Sequence, residues 1–323
     1  MKDFRNMIAV VTGGGTGMGR ALTLQLASEG CHVAICDVSA ENMAETQRLA
    51  AEQAPGIRVT AFVADVSNET QVLAFRDAVV AEHATDHINL LFNNAGIGGG
   101  GSFLIDERNE WERTFGVCWY GVYYGARAFM PLLVASKEGY IVNTSSVNGF
   151  WASLGPGISH TAYAAAKFAV KGFTEALITD LRLNAPHVKA AVVMPGHIGT
   201  SIAINTGKVL GHPGPMEMSA SDIAALRQRM LDRGMPVGNV PDDHIRALIQ
   251  QQQTDFRDKA PTSAAQAANI ILDGVKEDRW RILVGDDAKV LDERVRAAPE
   301  AAYDLDFLQR MNDAGHLNFV NRS

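Results

Sequence analysis

Short runs of near-continuous apolar and β-branched residues alternate along this chain with longer segments whose apolar positions recur every three or four residues. The runs at 7–11, 32–36, 58–63, 88–92, 140–143 and 189–193 lack the alternation of a half-exposed strand, so they predict strands covered on both faces. The segments at 18–29, 40–53, 69–82, 111–136 and 162–184 predict the helices between them. Such alternation implies βαβ units with right-handed crossovers, hence an α/β fold with a doubly wound parallel sheet and helices on both faces.

The pattern is interrupted once. Residues 205–217 are rich in Gly and Pro and predict a loop, and two amphipathic helices follow at 219–233 and 241–253. Ile223, Leu226 and Met230 stripe the first, and Ile245, Leu248 and Ile249 the second. Ser219 with Asp222, and Pro241-Asp242-Asp243, have the chemistry of helix starts. The fold resumes with a helix at 263–276, a last strand at 280–284 and a helix at 288–296, which makes about seven strands. One domain is therefore expected over 1–204 and 258–299. The helical insertion at 205–257 separates its two parts. The tail at 300–323 holds a final helix at 303–311 or reaches a neighbouring subunit.

Composition narrows the partners. With 47% hydrophobic residues among 323, the chain can bury a large core. A net charge of −7 disfavours nucleic acid or an anionic membrane as the main partner. Cys31, Cys36 and Cys118 are odd in number and form no CxxC pair, which fits reduced thiols. The apolar run before Thr12 is too short for a signal peptide or a membrane span, and no His/Cys cluster has metal-ligand spacing. A soluble, cytoplasmic protein without a metal is expected.

The first predicted strand runs straight into Thr12-Gly13-Gly14-Gly15-Thr16-Gly17-Met18-Gly19 and then a helix. Glycines at such a junction let the backbone turn tightly and approach a pyrophosphate, whose charge sits against the free N–H groups of the helix start. The second strand leads into Asp37, an acceptor for adenosine ribose hydroxyls that would repel a 2′-phosphate. That favours NAD. Ser39 and Asn42 stand near enough to soften the rule, so NADP stays possible.

Further along, Tyr163 and Lys167 are four residues apart in an alanine-rich, helix-favouring segment, so they rise from one helix face. A phenol titrates near pH ~10, and a cation beside it favours the phenolate, which suits acid/base work. Ser146, converging on the same point, would hold a carbonyl or alcohol oxygen while Tyr163 passes the proton.

These features together resemble the classical short-chain dehydrogenase/reductase family. The resemblance rests on TGxxxGxG at 12–19, Asp65-Val66, Asn93-Asn94-Ala95-Gly96, the Ser146/Tyr163/Lys167 set and Pro195-Gly196-His197-Ile198-Gly199-Thr200. It covers about 5–202, and 260–299 more loosely. It implies a Rossmann-like fold, with Asp65 on the adenine amino group and Val66 packed nearby. Asn94, Ala95 and Gly96 would flank the adenosine ribose, and Pro195, Gly196, Ile198 and Thr200 would form the nicotinamide loop. Gly13, Gly15, Thr16, Gly17, Met18 and Gly19 would cradle the phosphates. Lys167 would bond the nicotinamide ribose, and homodimers or homotetramers would form through the long helices. The helical insertion at 205–257 would, by the same resemblance, be a substrate lid or, alternatively, a subunit interface.

Two departures bear on chemistry. Family members carry an asparagine where Cys118 follows Trp111 and Val117, and its implied role is to support a water that links the lysine to solvent. Cys118 either keeps that relay through its backbone with a rate penalty or is simply a small packed residue. The spacing from Ser146 to Tyr163 is also longer than usual. The extra stretch at 150–160 is apolar and aromatic, so Trp151 and Leu154 line a wide substrate pocket or else tuck under the helix. His160 touches substrate, or caps the helix, or is solvated; His197 reads as a tolerant position.

The expected function is NAD(P)-dependent interconversion of a secondary alcohol and its ketone, with bulky hydrophobic or aryl substrates. Two other readings stand beside it. A non-catalytic dinucleotide sensor would keep the fold without the chemistry. An epimerase or dehydratase of the extended relatives would retain its cofactor, though those relatives use TGxxGxxG.

Overall fold

The computed structural model describes residues 1–155, 158–232 and 234–313. Six strands form at the predicted runs: β1 (Ile8–Thr12), β2 (His32–Asp37), β3 (Val59–Val63), β4 (Leu90–Asn93), β5 (Gly139–Thr144) and β6 (Val188–Pro195). A short parallel pair, β7 (Ile198–Gly199) with β8 (Thr262–Ser263), stands apart, and β9 (Arg281–Val284) completes the main sheet. The sheet has seven parallel strands in the order β3-β2-β1-β4-β5-β6-β9. From β1 the chain builds toward one edge through β2 and β3, then returns to the other side of β1 with β4. The loops after β1 and β4 therefore part above the carboxyl ends of the strands, where doubly wound sheets bind their ligands.

Both faces of the sheet are covered, as the unbroken apolar runs require. Successive strand residues point to opposite sides, so Ala9 and Val11 join one core with Leu22, Leu26, Ile271 and Leu272, while Val10 joins the other with Phe75, Phe129 and Leu133. The first core lies under α1 (Gly17–Ser28) and the later helix described below at 264–276; the second lies under α3 (Glu69–His83). Between them, α2 (Ala40–Gln53) and α3 open on side-chain caps, with Ser39 accepting from the Asn42 amide and Asn68 from the Gln71 amide.

The helix predicted at 111–136 is three pieces. These are α4 (Arg108–Phe115), a π-helical turn over Gly116–Tyr120 and α5 (Gly121–Ala135). A π turn is one of the recognised irregularities near functional sites, and periodicity alone does not reveal it. Next comes α6 (Thr161–Asn184), which carries the Tyr-Lys pair.

The Gly/Pro-rich stretch after β7 differs from expectation. Instead of a loop from 205, α7 (Ile202–Leu210) forms first and ends at Gly211 in the left-handed conformation. Val209 and Leu210 pack onto the second core, so tertiary burial outweighs the weak helix propensity of a segment containing Gly207. Then α8 (Ala220–Asp232) and α9 (Asp242–Asp258) fold against each other around Ile223, Met230, Val237 and Ile245, a small core of their own. Ser219 caps α8 as its sequence suggests, its hydroxyl bonding the Asp222 carboxylate and receiving the Asp222 amide. α9 runs five residues past the predicted end, because Phe256 finds a partner in the His197 ring at 4.3 Å.

The remaining helices are α10 (Ala264–Lys276), α11 (Asp286–Ala297) and α12 (Phe307–Asp313). The predicted helix at 303–311 begins instead as a 3-10 turn, Glu300–Tyr303, and becomes helical only at Phe307. This tail packs on its own chain. The Trp151 indole donates to the Ala302 carbonyl at 2.7 Å and packs with Phe307, and the Ala152 amide donates to the Tyr303 hydroxyl at 3.1 Å. Residues 314–323, the rest of the expected tail, lie outside the described residues. Trp151 is therefore held in a cluster with Leu291, Val295 and Phe307, covered by the apolar tail. Trp151→Ala should lower the unfolding free energy by about 3 kcal/mol. Denaturation by urea checks this, and early proteolytic loss of the tail should accompany it.

Candidate active site

The site assembles at the carboxyl ends of β1, β4 and β5. Thr12, the last residue of β1, joins the first two: its hydroxyl accepts from the amides of Asn94 at 2.9 Å and Ala95 at 3.0 Å, and its carbonyl accepts from the Asn94 side chain at 3.0 Å. Gly13 follows with φ +69, and a Cβ there would lie 2.9 Å from Ala95 Cα, so only glycine fits between the two loops. Asn93 donates to the Asn143 side chain at 2.8 Å, and Asn143 donates to Thr174 of α6 at 3.0 Å. This buried polar chain fixes α6 to the sheet, and with it the height of Tyr163 and Lys167.

The glycine loop fits a dinucleotide. The first turn of α1 has no side-chain cap, which leaves its amides free for an anion; the Thr16 hydroxyl instead accepts from Asn205 of α7 at 3.0 Å. Asp37 at the end of β2 accepts from the amides of Gly15 at 3.0 Å and Ser39 at 3.1 Å, so it holds the glycine loop. Among the described residues the buried side-chain oxygen of Asn94 meets no partner, the kind of orphan that a ribose hydroxyl would satisfy. Asp65 is less free than the resemblance implies. Ser67 donates to one oxygen and Arg113 lies 2.6 Å from the other. Burial raises its pKa, but these contacts outweigh it and keep the carboxyl below its usual value.

Ser146, Tyr163 and Lys167 come together as the sequence predicts. Ser146 starts the 3-10 turn Val147–Gly149 directly after β5, where its oxygen accepts the Asn148 amide at 3.1 Å. Lys167, buried, extends along α6 until its Nζ donates to the Thr144 carbonyl at 2.8 Å, and it lies 5.3 Å from the Tyr163 ring centre. Burial raises the Tyr163 phenol well above its usual pKa, the neighbouring Cys118 adds to this, and a hydrogen bond with Ser146 opposes it. Burial also pushes Lys167 down. Burial is the leading cause of both shifts, raising the phenol and lowering the ammonium.

Cys118 sits in the π turn, fully buried, with its thiol donating to the Ile97 carbonyl at 3.2 Å. The side chain that replaces the family's asparagine is therefore engaged with the loop after β4. All three cysteines are buried and unbridged. Val66 packs in the second core against Gly121, where a Cβ would come within 2.7 Å of it.

The loop after β6 is gripped from two sides. The His197 amide donates to Asp287 of α11 at 2.6 Å, and the His197 ring reaches the Phe256 carbonyl of α9 at 2.8 Å. His197 is thus a joint between this loop and the insertion, not a tolerant position. Ile198 is buried, and Thr200 meets Gly17 at the start of α1. Sequence reasoning missed Asn205 and Thr206. The Thr206 hydroxyl accepts the Gly98 amide at 2.8 Å, so α7 spans from the glycine loop to the loop after β4. Their only signal was the apolar pair Val209-Leu210 that seats the helix. Leu154 is 43% exposed, so it does not stand in a packed wall.

Among the described residues no helix is long and apolar enough to cross a membrane. The family model described as short chain dehydrogenase matches residues 7–209. A Mycobacterium tuberculosis protein named as an oxidoreductase, SadH, is 36% identical over 294 residues, 90% of this chain and 91% of its own. The levodione reductase of Leifsonia aquatica is 33% identical over 66% of this chain and 77% of its own. A Burkholderia phymatum short chain dehydrogenase/reductase solved in complex with NAD superposes with TM-score 0.67 at 29% identity, covering 100% of both chains. A metagenomic short-chain oxidoreductase in complex with NADP gives 0.53 at 30% identity, over 60% of this chain and 83% of its own. Likeness therefore extends to relatives of either cofactor. With the motifs in register, the sheet order of a Rossmann-like fold and the family match over most of the chain, this protein belongs to the classical short-chain dehydrogenase/reductase family of oxidoreductases.

Proposed function

We propose that the chain is an NAD(P)-dependent alcohol dehydrogenase or carbonyl reductase that interconverts a secondary alcohol and its ketone. The observation that carries this is the convergence of Ser146, Tyr163 and Lys167 beside a glycine loop whose helix amides are uncapped. The residues suited to hold the cofactor are the glycine loop with Asp37, Asp65, Asn94 and the loop from Pro195 to Thr200. When bound, the nicotinamide supplies or accepts the hydride. Tyr163 moves the proton to or from the substrate oxygen, Ser146 holds that oxygen, and Lys167 places a positive charge where the phenolate develops.

NAD is the favoured cofactor. Both oxygens of Asp37 already face amides of the glycine loop and of Ser39, so a 2′-phosphate would meet a fixed carboxylate. Exposed Phe103, Leu104 and Ile105 sit on the loop whose Gly100 and Gly101 carbonyls accept from the first amides of α6, which supports a bulky, apolar or aryl substrate. The bridging position of α7 supports a lid over substrate and cofactor. Exposed Tyr123 and Phe168 support a homodimer or homotetramer built on α5 and α6. Buried unbridged cysteines support a reducing, cytoplasmic setting.

The test is the reduction of a bulky aryl ketone with NADH and NADPH at matched subsaturating concentrations. NADH should be the faster, and Asp37→Ser should shift the ratio of kcat/KM toward NADPH by about tenfold, equivalent to ~1.4 kcal/mol. A wild-type preference for NADPH would reject the role given to Asp37. Absence of turnover with either cofactor over a panel of aryl ketones and alcohols would reject the proposed reaction.

A further inference from the structure

His160 precedes α6, and its ring lies 4.6 Å from the ring of Tyr163, tilted by 35°. It is the N-cap residue but its side chain caps nothing, and among the described residues its two ring nitrogens meet no hydrogen-bond partner. Burial holds the imidazole neutral, its pKa pulled down to about 4, so at neutral pH one nitrogen donates and the other accepts. A neutral polar group left unpaired beside the reacting phenol becomes costly once a substrate excludes water.

We infer that His160 hydrogen-bonds a second oxygen of the substrate, carried on the carbon next to the reacting one or one carbon further. The preferred substrates are then hydroxyketones, diketones or diols rather than plain ketones and alcohols. This rests on the reading of the site as an alcohol/ketone oxidoreductase. The 4.6 Å between the two rings limits the spacing: the reacting oxygen lies within ~2.7–3.2 Å of the phenol oxygen, and a ring tilted against that phenol reaches atoms within a few ångströms of it. An oxygen at the far end of a bulky substrate would not touch both.

Two ketones of one skeleton test it, 1-phenyl-1,2-propanedione and propiophenone, which differ in the second oxygen. The ratio of their kcat/KM values in the wild type, divided by the ratio in His160→Phe, removes the intrinsic reactivity of the dione. That quotient should be about ten, as for one lost hydrogen bond, and His160→Gln, which keeps a donor and an acceptor, should recover most of the preference. A quotient near one overturns the inference while leaving the oxidoreductase reading intact.

Calorimetric binding in the Tyr163→Phe background, loaded with reduced cofactor, reads the contact without turnover. There His160→Phe should weaken dione binding about tenfold and propiophenone binding much less. Equal weakening, or no measurable dione binding, overturns the inference even if the wild type reduces neither ketone, a result that would instead sink the proposed reaction.

Discussion

Tyr163→Phe is expected to lower kcat/KM for ketone reduction by about 10³-fold, within the range that one positioned acid/base group supplies. The substitution removes a single oxygen. The ring keeps its packing against His160 and its place on α6, so cofactor affinity should change little. The Asn93–Asn143–Thr174 chain that sets the helix height does not involve Tyr163. Loss of turnover with intact cofactor binding separates a catalyst from a dinucleotide sensor on the same fold. A fall of less than tenfold would mean that the proton comes from elsewhere.

The electrostatics add a direction to this result. Burial holds the phenol above its ordinary value, so at neutral pH it stays protonated and competent as the acid in reduction. Reduction should therefore be flat through neutral pH and fall only as pH rises through the phenol's pKa. Oxidation, which needs the phenolate, should climb with pH. Measured pH profiles of the two directions check the sign.

The second large effect is structural. In Gly19→Ala the new Cβ would lie 2.0 Å from the Gly13 carbonyl oxygen and 2.8 Å from the Asn94 side-chain nitrogen. Neither neighbour is free to retreat, because Gly13 already abuts Ala95 and Asn94 is bound to the Thr12 carbonyl. The turn must open, which pulls the first amides of α1 out of line. Cofactor binding should weaken by at least ~100-fold, equivalent to about 2.7 kcal/mol, and thermal stability should drop with it. Gly172→Ala in α6 is the control, since nothing lies within 4 Å of its added Cβ. There the change should be neutral or stabilising by up to ~1 kcal/mol. Titration of cofactor fluorescence and a thermal melt on both variants would decide it, and similar behaviour of the two would remove the glycine argument.

How much of this was legible beforehand depends on the range of the interaction involved. The strand runs were readable because burial on both faces leaves an unbroken apolar signature, and the observed strands match them within two residues at each end. The boundaries of α2 could be read from Ser39, whose side chain caps it locally. α7 was not readable: Gly207 and the nearby prolines point to a loop, and its helical state depends on Val209 and Leu210 reaching a core formed by distant strands. His197 looked incidental because its partners, Phe256 and Asp287, are 59 and 90 residues away. Arg113 gave no hint of its contact with Asp65 for the same reason.

The sequence by itself determined the alternating fold, the glycine turn, and the Tyr163–Lys167 spacing, since each depends on local conformation and on residues a few positions apart. Only the tertiary structure decided what surrounds them. It turned Trp151 toward the tail, Cys118 toward Ile97, and set the His160 ring against Tyr163. It also buried the phenol and the ammonium together, which raises the one and lowers the other. Burial is a property of the packed chain as a whole, and no window of sequence contains it.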